Sequence, residues 1–528
     1  MRVFIFLLSA WLLILPYKTE AHAFLVNSNP APESTISQLP STVELTFNER
    51  LEKELYSLKV LNDKGNPITK NPTKMSQNQR KLTLDLPQEK EGVFTVQYSV
   101  ISSDGHPVSG AYLFTVGQPS QNNKVTVDGP AGETGHQGSE YNLASLVIRT
   151  LYYVFLLLAS GWVLWKSFIP YSKKEQKEAY IKHGRLIQKV HLFLLAGFIC
   201  IQASILLNGQ NWAGFPDLLF HTAIGWSWLL SLAISAAGLF LTYRRTWFDL
   251  VWVILLLLAK SLNGHAAGQQ MAPVTMGLDT LHLLAAALWA GGLSYLFISW
   301  KKDKDHSTFF FKRFSVAALI SLMVLILSGL VYTVFLLPRV FYLWDTAWGI
   351  LLTIKVVIVI LVLITGALLR SHKKRKKGRN AVHALLKVDL TLMGLILVIV
   401  ALFTQLSPTP QNKPLNWDES KGGIHFETKS SVLQPGINDF SIKAASSKGK
   451  PSIEKAELRF QSIDRPKVPE IIVPLKPEKG SNGHQKIFRK SGAYPPFSGE
   501  WKMTIAVVNE DVEEISITKT IKIYELQL

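Results

Sequence analysis

Cysteine is all but missing. Cys200 is the one cysteine in 528 residues, and it sits inside an apolar run. That excludes an intrachain disulfide, and it excludes CxxC and CPC metal motifs together with the thiolate ligands of P-type metal pumps. No GxxxxGK[ST] phosphate loop occurs, so ATP-driven pumping has no support. Charge is sparse as well: 18% of residues are charged against 48% apolar, and only 38 acidic residues face 56 basic ones, for a net charge of +18. On a soluble face such a charge would point to nucleic acid. Here the basic residues fall in loops between long apolar runs, which removes nucleic acid as a partner.

What is present divides the chain into segments. Arg2, the apolar stretch Val3–Pro16 and then Thr19, Glu20 and Ala21 have the basic, apolar and small-residue order of a secretory signal, assigned to residues 1–21. Cleavage after Ala21 leaves His22 first; cleavage after Ala23 also fits, and the choice decides whether His22 offers its α-amine. Residues 22–118 alternate short β-type runs (STVELTFNE, RKLTLDLP, GVFTVQYSVIS, AYLFTVG) with Asn, Asp, Gly and Pro turns, which predicts an exported all-β sandwich. A polar linker follows at 119–140. After a second linker at 408–421, residues 422–528 again read as an exported β domain, with no repeat relating it to the first.

Between 141 and 407 eight segments approach the roughly 20 apolar residues that cross a bilayer. They run near Leu143–Trp165, Leu186–Leu207, Leu218–Tyr243, Trp247–Leu262, Leu278–Trp300, Ser315–Leu337, Trp348–Leu369 and Ala381–Leu406, the fourth being short. The loops after the first, third, fifth and seventh carry six, two, five and seven Lys or Arg, whereas those after the second, fourth and sixth carry only Arg339. Cytoplasmic loops collect basic residues, so this alternation supports eight spans in a plasma membrane with both terminal domains outside, and lipid as a partner. The predicted fold class is a polytopic α-helical membrane protein flanked by two exported β-sandwiches.

Two constellations could carry chemistry. Asp104 and His106 are two apart around Gly105, so in an extended segment they share a face, and with His22 they offer two imidazoles, an amine and a carboxylate, a set that favours Cu(II). On spacing alone Asp-Gly-His reads first as a turn. The second constellation lies in the spans: His221, His265 and His282, with Met271, Met276 and Asp279 in the same outer stretch, fall at one depth, and Asp279 and His282 are one helical turn apart. Imidazole and thioether suit copper, especially Cu(I), but each histidine also reads as an interfacial one satisfied by backbone or headgroups.

The runs HAFLVNSNPAPES, TVELTFNE and VISSDGHPVSGAYLFTVG resemble CopC, the exported copper-binding β-sandwich of bacterial copper handling. That resemblance implies a Cu(II) site at His22, Asp104 and His106. It implies no Met-rich Cu(I) site, because Met75 is the domain's only methionine. NGHAAG, DTLHLLAAALWAGGL, KRFSVAALISLMVLILSGLVY and WGILLTIKVVIVILVLITGALLR resemble CopD, the membrane partner of CopC. With a C-terminal domain of YtkA type, the whole resembles CopC–CopD fusion transporters of the YcnJ type, which implies copper uptake with hand-over from the outer domain to the membrane domain.

Ionisable residues inside spans complete the inventory. Arg149, Lys189, Lys260, Lys355, Lys387 and Asp389 are expensive in hydrocarbon. Lys189, Lys260 and Lys387 can snorkel, whereas Lys355 and Asp389 are deeper and form a candidate polar pair. His191 and His383 lie near inner span ends and read first as structural. In the last domain His425, His484 and Met503 are too scattered to define a site. The leading expectation is a copper importer and not an enzyme, served by an extracytoplasmic chaperone or reductase. The alternatives are a b-type membrane cytochrome, with His221 and His282 as axial ligands, and a copper-resistance or sensing protein without transport.

Overall fold

The computed structural model describes residues 23, 25–32, 34–63, 65–87, 91–103, 105, 107–117, 143–169, 171, 174–207, 212–263, 271–300, 304–337, 340–374, 379–406, 408–446, 453–477, 485–509 and 513–525.

The first domain is built from strands β1 (Leu25–Asn29), β2 (Thr35–Ile36), β3 (Thr42–Phe47), β4 (Ser57–Leu61), β5 (Lys74–Met75), β6 (Lys81–Asp85), β7 (Gly92–Ile101) and β8 (Pro107–Val116). They form two four-stranded sheets, ordered β1-β3-β6-β5 and β2-β8-β7-β4. In β3 the alternating Val43, Leu45 and Phe47 are buried between less buried neighbours, so the period-2 pattern puts one face into the core. Phe47 meets Tyr98 edge-on at 5.6 Å, which ties one sheet to the other. Ala23, next to the candidate ligand His22, is itself fully buried in this core.

The helices are α1 (Leu143–Trp165), α2 (Lys174–Leu206), α3 (Phe215–His221), α4 (Ala223–Leu241), α5 (Thr246–Ser261), α6 (Ala272–Ser299), α7 (Lys304–Leu336), α8 (Ala347–Lys374) and α9 (Arg379–Phe403). Seven of them, all but α3 and α5, are long and apolar enough to cross a membrane. The short fourth segment is the 16-residue α5. At ~1.5 Å per residue it reaches about 24 Å, short of a ~30 Å hydrocarbon core. The third segment differs from the expected continuous span. Thr222 is extended there, and its Oγ1 accepts from Gly225 N–H at 3.0 Å as an N-cap, so Leu218–His221 belongs to the separate α3.

Packing inside the bundle rests on close backbone approach. A Cβ on Gly291 would lie 2.6 Å from the Gly161 carbonyl carbon, so α6 and α1 can touch only because both positions are glycine. On α7 the exposed Val316, Ile320, Met323, Leu327, Leu330 and Val334 recur every three or four residues, an unpartnered apolar stripe of the kind lipid covers.

The last domain pairs β14-β11-β10-β9 with β13-β12-β15-β16, where β9 is Pro414–Lys421, β10 Ile424–Val432, β11 Ile437–Ser446, β12 Ile453–Ser462, β13 Ile471–Leu475, β14 Gln485–Ala493, β15 Gly499–Asn509 and β16 Glu514–Ile523. Trp501, Phe426, Phe440, Phe460 and Phe488 fill the space between these sheets. The domain touches the bundle through Tyr524, edge-on to Tyr342 at 5.5 Å, and through Lys522, whose ammonium is 2.7 Å from Asp345.

Candidate metal centre

Two long strands deliver the DGH segment. β7 and β8 pair from Gly92↔Val116 to Ile101↔Pro107, so Gly105 lies in the connection between them. Gly105 donates its N–H to Ser102 C=O at 2.9 Å and holds φ at +91°, a left-handed conformation that glycine adopts without strain. The side chains expected to bind copper, His22, Asp104 and His106, lie outside the described residues, as does His265.

Position within the molecule is the informative part. Gly105 rests on the membrane domain: a Cβ there would lie 3.3 Å from Ile224 Cδ1 and 3.8 Å from Asn263 Oδ1. Asn263 ends the turn after α5, immediately before the stretch 264–270 that carries His265. Beside Gly105, Glu52 is buried at 7% exposure, and its carboxylate accepts from the backbone N–H of Ala223 and Ile224 at the start of α4. An acid at a helix N-terminus satisfies otherwise unpaired N–H groups and the positive end of the helix dipole. Burial nevertheless dominates, pushing the Glu52 carboxyl above its ordinary value against the pull of those hydrogen bonds. Ile101 and Leu55 of the first domain also pack into the apolar core of the bundle.

The membrane residues are dispersed around this docking zone. His221 ends the short, exposed α3 with Nδ1 3.4 Å from Asp217 Oδ1, an i,i+4 pairing. His282 Nδ1 is 2.8 Å from Ser328 Oγ, so α6 and α7 share it. These two histidines take separate Nδ1 partners, Asp217 and Ser328. Asp279 accepts from Ser261 Oγ at 2.8 Å, which ties α6 to the end of α5 beside Asn263. Met271 stands exposed at the start of α6, with Met276 half-buried one turn on. Among the described residues no three His, Cys, Asp or Glu side chains converge closely enough to hold a metal ion.

Deeper polar residues are engaged elsewhere. Asp389 accepts from Thr365 Oγ1 at 3.0 Å, and Lys355 Nζ lies 5.4 Å from the centre of the Phe403 ring, so each has a partner other than its expected mate. His191 is fully buried with Nε2 3.2 Å from Ser235 Oγ, and His383 stacks on Phe297 at 5.0 Å. Met503 is core, and His425 pairs with Asp418 at 3.5 Å on the surface of the last domain. Sequence reasoning missed Glu52, one of several acids in NERLEKEL, because only the inter-domain contact distinguishes it.

Comparison with known proteins identifies two of the domains. The CopC domain family matches residues 25–117, and the family Copper resistance protein D matches residues 309–403. Over 97% of its length the chain is 27% identical to Copper transport protein CutJ of Bacillus subtilis (strain 168), 98% of which it spans. Protein YobA of Escherichia coli (strain K12) is 34% identical over 98 residues, which are 18% of this chain and 79% of YobA. Among solved structures, CopC from Methylosinus trichosporium OB3b is 35% identical, covering 19% of this chain and 99% of that one with a TM-score of 0.18. The chain thus carries a CopC domain and a Copper resistance protein D domain on one polypeptide, and over nearly its whole length it is similar to a copper transport protein.

Proposed function

We propose that this protein is a plasma-membrane copper importer. His22, Asp104 and His106 capture Cu(II) outside the cell, and the ion passes to the membrane domain at His265 and His282, with His221, Met271, Met276 and Asp279 along the entry. The observation that carries this reading is the seat of Gly105 on Ile224 and Asn263: the loop that bears two of the three proposed Cu(II) ligands abuts the residue preceding the His265 stretch. A relay needs donor and acceptor ligands within a short transfer distance, and docking through Glu52 and Ile101, which seats Gly105 beside Asn263, supports that reading.

In this reading eight helices, α5 included and α3 excepted, cross the membrane, the basic loops face the cytoplasm, and both β domains lie outside after removal of residues 1–21. The last domain, of YtkA type, docks on the same side through Asp345 and Tyr342 and would receive a chaperone or reductase. Inward movement of a cation follows the membrane potential, worth about 2.3 kcal/mol per charge per 100 mV. Lys355 and Asp389, although not paired with each other, are the candidate polar groups along the inner path.

The test is copper accumulation by cells at limiting external copper, comparing the intact protein with His22→Ala/His106→Ala and His265→Ala/His282→Ala variants of matched expression. Import requires accumulation to rise with the intact protein and to fall toward background in both variants. Unchanged or reduced cell copper with the intact protein would remove import and leave resistance or sensing.

A further inference from the structure

Directly beneath Gly105 the bundle holds a partly open cavity of about 40 Å³. At 10–15 Å³ for one water, it has room for about three water-sized bodies. Its lining comes from the beginnings of α1 and α4 and the ends of α2, α5 and α9, so it lies at the end of the bundle where the first domain docks. Its polar groups include three strong donors. Arg149, 4% exposed, gives its guanidinium to Thr404 Oγ1 at 2.6 Å and Gln202 Oε1 at 2.8 Å. Lys260 donates to the Asn263 carbonyl at 3.2 Å and lies over the Tyr153 ring. Trp228 is 2% exposed, and its indole Nε1–H has no hydrogen-bond partner among the described residues.

A buried donor left without a hydrogen bond is destabilising, and buried cations at membrane depth are retained where they meet a ligand or a counter-charge. Among the described lining residues there is no His, Met, Cys, Asp or Glu. Two cationic side chains repel a copper ion, and the lining offers it no favoured ligand. The chemistry of the wall is complementary to negative charge. We propose that this cavity binds a small monovalent anion, chloride or a one- to two-carbon carboxylate, held by Arg149, Lys260 and the Trp228 indole N–H and covered by Gly105 of the docked first domain. The assignment stands apart from the import reading, because it uses none of the proposed copper ligands.

The test uses the purified full-length chain in detergent, titrated with sodium chloride or sodium formate at constant ionic strength, with gluconate, too large for the cavity, as the replacing anion. Thermal midpoint and retained radioactive chloride are both read. The intact protein should show saturable stabilisation and saturable chloride retention. Lys260→Met should move half-saturation at least tenfold higher, and Trp228→Phe, which removes the donor while keeping an aromatic ring, severalfold higher. Stabilisation that rises linearly without saturating and is equal in all three proteins would overturn the proposal. So would chloride retention by the intact chain no greater than in gluconate-competed controls, a result that needs no variant to fold.

Discussion

Replacing Glu52 by Ala should release the first domain from the bundle. The carboxylate covers the N–H groups of Ala223 and Ile224 at a site that is 7% exposed. Removing the acceptor leaves two helix-terminal donors at a buried interface, each worth about 1–3 kcal/mol when unsatisfied. Opposing this, the ionised carboxyl no longer pays for its own desolvation, which is the largest influence on it. The balance leaves roughly 2–3 kcal/mol of lost docking energy, and at ~1.4 kcal/mol per tenfold the undocked population rises about 30- to 150-fold. Glu52→Gln retains a carbonyl acceptor of the same shape and removes the charge, so it should shift docking by less than tenfold.

Ile224 provides the readout, because it is 3% exposed and lies against Gly105. In a background with Cys200→Ser, which removes the lone and exposed native thiol, an Ile224→Cys substitution places a reporter under the first domain. A bulky water-soluble maleimide reaches it only from the undocked state, so the labelling rate tracks the undocked fraction when domain motion is faster than labelling. Equal rates, within twofold, for the reporter protein and its Glu52→Ala version would refute the docking argument.

The same reporter should respond to pH. Burial raises the Glu52 carboxyl above 4.5 in the docked state, so the proton is bound more tightly there than after release. The associated docking stability is fully present below the undocked value and is lost as pH rises through the docked one. Labelling, normalised to a free thiol at each pH, should therefore increase upward from about pH 4.5, and Glu52→Gln should flatten that rise. Separately, Gly161→Ala places a methyl against the Ala287 carbonyl of α6, where neither backbone can yield. It should lower the stability of the solubilised membrane domain by about 1–3 kcal/mol or more, seen as a drop in its thermal midpoint.

The β domains were the most readable part of the sequence because a half-buried strand writes its environment every second residue. Val43, Leu45 and Phe47 alternate with polar neighbours, and the two long strands that deliver Gly105 are bounded by turn residues. The helices were readable as apolar runs, but their orientation was not: on α7, Val316 and Leu327 face outward while Phe310 and Phe314 are core, and all four are simply apolar in sequence. Trp226 and Trp228 make the same point within three residues, the first 60% exposed and the second buried against the cavity. Only the break at Thr222 had a local signal, a capping threonine three residues before Gly225, and reading through it placed His221 on a span instead of on α3.

What no local pattern encoded is the encounter between domains. Glu52 is one acid among several until Ala223 and Ile224 arrive to meet it, and Lys260 reads as a snorkelling residue until the end of α5 is closed over by Gly105. A lysine at the edge of an open bilayer reaches water at little cost. The same lysine beside Arg149 and Trp228, under a docked protein domain, shares a small, partly open volume with a second cation and a donor that has no partner among the described residues. Docking therefore changes the chemistry of the bundle end as well as its distance to the Gly105 loop: by covering the cavity it lowers the local dielectric and strengthens each charge within it. An anion held there would bind most tightly with the first domain seated. By reciprocity that anion would favour the seated domain, so chloride should slow labelling of the Ile224→Cys reporter in the intact protein and leave the Lys260→Met version unaffected.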